Sequence, residues 1–180
     1  MLCLISALCS IEAQAYGSND NGHTRYAYVK LNGIDVWRAS WCGGYPLNAG
    51  SNIIIVNPSS CTVQEWHNFD TFWGLIAAAR LRDYLQALSN GTVLVGVSCY
   101  SAQRTLSDAL PTLSAMGADV SDVAIRGAWV FVTVKGDPSK TVFDKIRSEA
   151  LHANAKQPRV NVTFGKFYSG LHGNARMFLL

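Results

Sequence analysis

Four branched aliphatics in unbroken succession, Ile53-Ile54-Ile55-Val56, constrain this chain more than any other feature. A strand with one wet face alternates apolar and polar residues, so a run with no polar interruption marks a strand covered on both faces. Thr92 to Ser98, without a polar residue from Val93 to Val97, and Trp129 to Val134, interrupted only by Thr133, read as further central strands. Asn57-Pro58-Ser59-Ser60 turns the first run back into Thr62 to Trp66. Upstream, Asn32-Gly33 between Tyr26–Lys30 and Ile34–Arg38 is a strong hairpin signal. Helical spacing takes over at Trp73, Ile76, Ala77, Leu81, Tyr84, Leu85 and Leu88, predicting a helix over 72–88 that ends at Ser89-Asn90-Gly91. A second helix follows from near Ser107 to Gly117, its start limited by Pro111. Asp137-Pro138-Ser139 reads as the start of a last helix with Val142, Phe143, Ile146 and Ala150 on its apolar side, and Val160 to Phe164 as a closing strand. Strands come early and then alternate with helices, which gives an α+β fold of mixed layers, with a largely antiparallel sheet and helices on its faces.

With an apolar fraction of 49% and 15% charged residues, 180 residues fit one folded domain. The apolar run from Leu2 to Ile11, followed by Ala13-Gln14-Ala15, reads as a secretion signal over 1–15 with cleavage before Tyr16; the alternative is a buried N-terminal strand or helix. Polar residues 16–24 read as a disordered lead-in, 25–165 as the domain and 166–180 as a tail. No stretch reaches the roughly 20 apolar residues of a membrane span. Loss of the signal removes Glu12, Cys3 and Cys9. Fifteen basic residues then face eleven acidic ones, scattered along the chain, and imply neither nucleic acid nor an anionic membrane as partner. Cys42, Cys61 and Cys99 remain, enough for one disulfide and one spare thiol, through which a disulfide-linked dimer is open.

Asp70 or Thr71 in Phe69-Asp70-Thr71 reads as the N-cap of the long helix. Arg126, just before a buried strand, either braces a loop or presents a planar fork of donors. Asn90-Gly91-Thr92 and Asn161-Val162-Thr163 are N-glycosylation sequons, the first in an exposed turn and the second in a strand. His23, His67, His152 and His172 show no ligand spacing, and no nucleophile elbow or phosphate loop is present. No cofactor, metal or catalytic residue is implied.

Four ordered blocks, Asn52–Pro58, Phe69–Thr71, Asn90–Val97 and Arg126–Gly136, together resemble the ILEI/PANDER-like domain. That domain occurs in the secreted FAM3 cytokine-like proteins, in the stem of a protein O-mannose N-acetylglucosaminyltransferase and in large hyaluronan-binding ectoproteins. The resemblance covers roughly Arg25 to Phe164 and implies a compact β-β-α globule. In its sugar-binding member three positions converge on the saccharide; carried over, they are Ala49, Cys99 and Arg126, of which only Arg126 keeps the polar group. Trp37, Trp41, Tyr45 and Tyr100 offer stacking faces in their place. The same carry-over sets Cys99 near the Cys42 loop and favours a Cys42–Cys99 disulfide, with Cys61 the competing partner of Cys42. The implied function is a secreted, non-enzymatic extracellular ligand or recognition module that binds a receptor or glycan. The alternative is a lectin-like module using Arg126, Trp41, Tyr45 and Tyr100, and the remote one a glycan-processing accessory domain.

Overall fold

The computed structural model describes residues 6–17, 26–39, 41–42, 47–123, 126–145, 158–168 and 175–179. Strands are β1 (Ser6–Gln14), β2 (Tyr16–Gly17), β3 (Ala27–Leu31), β4 (Ile34–Ala39), β5 (Gly50–Asn57), β6 (Thr62–Phe69), β7 (Val93–Tyr100), β8 (Trp129–Val134), β9 (Asp137–Lys145), β10 (Arg159–Tyr168) and β11 (Ala175–Leu179). Helix α1 is Ala77–Ala87; a 3-10 turn at Ser107–Ala109 leads into α2 (Leu110–Ala115).

The strands form two sheets, ordered β11-β10-β1-β3-β4 and β6-β5-β7-β8-β9, with β2 added in parallel to the end of β7. The second sheet is the middle layer, which explains its unbroken apolar runs. Ile54 and Val56 of β5, Val93, Val95 and Val97 of β7, and Val130 and Val132 of β8 pack against Ile11, Val29, Val160 and Val162 of the first sheet. Their alternate neighbours Ile53, Ile55, Leu94, Trp129 and Phe131 face Leu81 and Leu85 of α1 and Leu113 of α2. Gly96 is required in the middle of β7, because a Cβ there would lie 2.2 Å from the Phe131 ring. The outcome is a mixed α/β globule of sheet, sheet and helices, antiparallel throughout except for the β2–β7 pair. The Asn32-Gly33 hairpin forms as the sequence suggests, with both residues at positive φ.

The segment with signal-like composition is built into this body. Strand β1 lies in the centre of the first sheet, Cys9–Gln14 paired with Phe164–Arg159 on one side and Ile11–Gln14 with Leu31–Tyr28 on the other. Cys9 forms a disulfide with Cys61 in the turn between β5 and β6, tying the two sheets together. Cys61, the thiol that a three-cysteine count leaves over, is thus closed within the chain, and a dimer through it requires this bond to open. Of the lead-in, Tyr16 and Gly17 form β2 with Tyr16 buried, and the remainder lies outside the described residues. Within 166–180, β10 continues to Tyr168 and β11 pairs alongside it.

Two helical expectations are corrected. Asp137–Lys145 is the strand β9, not a helix start: Gly136 (φ 83°) turns the chain sharply, so Val142 meets Val132 and Phe143 meets Phe131 across the hairpin. Thr141 Oγ1 lies 2.6 Å from Thr133 Oγ1 in the same pair. Pro138 is tolerated because β9 is an edge strand. Ile146 and Ala150 lie outside the described residues. The long helix starts only at Ala77, so Asp70 does not cap it. Asp70 Oδ1 instead accepts the Phe72 and Trp73 backbone N–H groups, at 3.3 and 3.1 Å, and organises a turn.

Contacts of β1 with β3 have an alkaline signature. Tyr28 Oη donates to Glu12 Oε1 at 2.5 Å, and burial together with this bond pushes the Tyr28 pKa from 10.0 up to about 12. The folded chain holds that proton more tightly than the unfolded one, so the stabilisation is complete below about pH 10 and lost as pH rises through about 12. Tyr28→Phe should therefore be less stable than wild type at pH 9 and converge with it near pH 12, as read from Tm against pH.

Candidate functional site

At one end of the middle sheet β5 begins, β7 ends and β8 begins, so three chain segments meet there. Gly50 pairs with Cys99, which sets Ala49 beside the end of β7, both Ala49 and Cys99 being buried. Cys42 and Cys99 form a disulfide with Cα atoms 5.1 Å apart, bringing the half-exposed Trp41 to the same end. Tyr100 and Arg126 both sit in the left-handed region (φ 70° and 67°) that non-glycine residues seldom adopt. Arg126 is exposed and its backbone N–H donates to Ser101 Oγ at 3.0 Å. Gly17 closes against it so tightly that a Cβ would lie 2.2 Å from the Arg126 carbonyl oxygen. Cys99, Tyr100, Arg126 and Trp41 are thus gathered at one end; Tyr45 lies outside the described residues, and Trp37 is buried between the sheets.

A buried polar floor fixes these segments. Asn52, fully buried, donates to the carbonyls of Asn48 (3.0 Å) and Val97 (3.3 Å) and accepts from Asn68 (3.0 Å). Asn68 also donates to Ala49 O at 3.0 Å. Ser98 Oγ accepts the Trp129 N–H at 2.8 Å, and Ser51 and Thr71 hydroxyls meet at 2.8 Å. Satisfied buried networks of this kind hold a backbone in one arrangement.

Beside this floor stands a turn that the sequence pattern conceals. Trp73 and Ile76, assigned by spacing to the buried face of a helix, lie before it and are 53% and 68% exposed; Leu75 between them is 92% exposed. Tyr100 meets the Phe72 ring edge-on at 4.9 Å, Phe72 meets Trp73 at 4.7 Å, and the Arg104 guanidinium lies 4.1 Å from the Trp73 ring centroid. The chain of contacts joins Arg126 through Ser101, Tyr100 and Phe72 to Trp73 and Arg104. Gly74 was the available signal: it interrupts the helical stripe, and a Cβ there would lie 2.8 Å from Asp70 O.

The end of the sheet offers the exposed Arg104 and Arg126 guanidinium groups and the half-exposed Trp73 ring. Guanidinium forks and aromatic faces bind carboxylates and planar groups, whereas the one acid in the turn, Asp70, accepts backbone N–H groups. Among the described residues no group of three or more His, Cys, Asp or Glu is gathered in a way that could hold a metal ion. His67 lies elsewhere, with Nε2 3.5 Å from Glu65 and its ring against Tyr84. Tyr84 donates to Glu65 at 2.8 Å, and burial together with this bond raises the Tyr84 pKa well above the ordinary phenol value. Both sequon asparagines, Asn90 and Asn161, are exposed, Asn161 on the outer sheet opposite Glu12. No helix among the described residues is long and apolar enough to cross a membrane.

Comparison with known proteins covers this same region. Residues 49–137, from β5 to the start of β9, match the family model described as Interleukin-like EMT inducer. The human cell migration-inducing and hyaluronan-binding protein is 32% identical over 99 residues, covering 54% of this chain and 7% of that one; its mouse counterpart is 30% identical over the same length. Mouse Protein FAM3A is 32% identical over 108 residues, 58% of this chain and 46% of its own length. The chain therefore spans less than half of each of these relatives. The matched stretch contains all four ordered blocks, and the chain carries an ILEI/PANDER-like domain over it.

Proposed function

We propose that the protein is a secreted, non-enzymatic extracellular recognition module that acts by binding a receptor at the Arg126 end of its middle sheet. The observation that carries this reading is the pair of left-handed residues, Tyr100 and Arg126, held beside exposed aromatic and guanidinium groups. Such conformations cost on the order of 1–3 kcal/mol each and cluster where function requires them. Secretion would expose Asn90 and Asn161 to N-glycosylation, a further consequence of the reading. The test is saturable binding of the fluorescently tetramerised full chain to intact cells. Arg126→Gly relieves the φ penalty and removes the guanidinium, so it should raise Tm by a few degrees while weakening binding at least tenfold. A variant that binds as wild type does would contradict the reading.

A lectin-like module is the second reading, favoured by Arg126 and the half-exposed Trp41 and Trp73 rings on one end. Two relatives carry hyaluronan binding in their names. A glycan array that includes hyaluronan fragments separates the two: discrete binding lost in Arg126→Ala supports the lectin, and silence supports a protein receptor.

A further inference from the structure

We infer that the turn 71–76 together with Arg80, Arg104 and Arg126 is a preformed docking surface for an acidic protein partner. The inference rests on the reading of the chain as a recognition module and names the surface and the chemistry of what binds. It starts from a local choice that stability alone does not explain. Ile76 occupies the N-cap of α1 and makes no side-chain cap. Ser, Thr, Asp or Asn there would be favoured by about 0.5–2 kcal/mol. Ile76 moreover stands 68% exposed beside Leu75 at 92% and Trp73 at 53%. Scattered single apolar residues on a surface are ordinary, but three within four positions on one turn are a patch.

The patch is rigid. Asp70 Oδ1 receives the Phe72 and Trp73 N–H groups, and Gly74 N–H donates to Asp70 O at 2.8 Å. Thr105 fastens the turn to the β7–α2 connection, its N–H donating to Thr71 O at 3.0 Å and its hydroxyl at 2.8 Å. Arg104 already lies over Trp73. A surface held this way loses little conformational freedom on binding, the condition under which a small epitope gives useful affinity. Trp and Arg are the residues most enriched where binding energy concentrates.

Charge selects the partner. Arg80, Arg104 and Arg126 are exposed, and none forms a salt bridge with a carboxylate among the described residues. The nearby acids are engaged locally: Asp70 accepts the backbone N–H groups of the turn, and Asp108 accepts the Ser107 hydroxyl. An apolar centre with cations around it is complementary to a protein surface that presents an aliphatic or aromatic socket edged by Asp and Glu.

The experiment uses the full chain, tetramerised and fluorescent, on intact mammalian cells. Leu75→Ser/Ile76→Ser and, separately, Arg104→Ala should each weaken binding at least tenfold. Binding should weaken further between 50 and 300 mM salt, disappear when the cells are shaved with trypsin, and survive hyaluronidase and heparinase. Circular dichroism should show all variants folded, and Ile76→Asp, which supplies a cap, should gain stability while losing binding. Binding by wild type that is indifferent to these substitutions overturns the docking surface and leaves the recognition reading standing; no binding to any cell type overturns both. Survival of binding after trypsin, transfer to phosphatidylcholine–phosphatidylserine vesicles, loss with the glycosidases, or self-association of the wild type alone in light scattering each assigns the surface to a different occupant and overturns the proposal.

Discussion

A chain that begins at Tyr16 is expected not to reach the native state. Strand β1 is the centre of its sheet, and its removal leaves β10 and β3 without their shared neighbour. It also removes Cys9, Ile11, Ala13 and Ala15 from the core between the sheets. Burial of one Ile side chain alone contributes about 1.5–3 kcal/mol. The Cys9–Cys61 bond closes a loop of 52 residues. In the chain-entropy account such closure contributes about 4 kcal/mol. Together with the ladder hydrogen bonds, these terms reach the roughly 5–15 kcal/mol that holds a typical domain folded. The shortened chain should show no cooperative thermal transition and strong binding of an apolar dye; a transition at the wild-type Tm would place the folding unit entirely downstream of residue 15. Cys9→Ser/Cys61→Ser in the full chain is the milder form of the experiment and should fold with a Tm lowered by ten degrees or more.

Gly50→Ala is expected to have the second largest effect, and at the site rather than across the molecule. Gly50 opens β5 at φ 95°, where an L side chain is strained. A Cβ there would lie 2.4 Å from Phe69 O and 2.6 Å from Thr71 N, both backbone atoms with no room to retreat. Strain of about 1–2 kcal/mol from the dihedral and 1–3 from overpacking add in the same direction. The displaced atoms belong to the strand–turn junction that carries Asp70, Thr71 and the exposed turn beyond. Gly50→Ala should thus lower stability by about 2–5 kcal/mol and accelerate amide exchange at 69–76 first. Gly33, also at positive φ but with open space around it, is the control: Gly33→Ala meets the dihedral penalty without the clash. Equal losses from the two would contradict the packing argument.

The parts of the fold legible in the sequence were those in which one physical demand dominates. Ile53–Val56, Val93–Val97 and Trp129–Val132 have no polar interruption because two apolar layers sandwich them. Asn32-Gly33 was legible for the same reason, as a hairpin of this length needs positive φ at both positions. The N-terminal segment is ambiguous in sequence because a buried central strand and a secretion signal draw on the same apolar and small residues; the placing of Cys9 opposite Cys61 is a tertiary fact that the sequence does not carry. Asp137–Lys145 carries a helical spacing, yet Gly136 folds it back on β8, where Val142 and Phe143 each find a core. At the site, Arg126 stood out by its place before a buried strand. Trp73 and Ile76 did not, because a turn just ahead of a helix continues the periodicity of the helix, and only Gly74 marked the break.

Mapping of the disulfides in the non-reduced full chain tests the account most directly, since it places the N-terminal strand, the middle sheet and the Arg126 end in one body. Proteolysis and mass spectrometry should recover Cys9 linked to Cys61 and Cys42 linked to Cys99. Recovery of Cys42 linked to Cys61, or of Cys61 joining two chains while residues 6–14 are absent from the secreted protein, would contradict it.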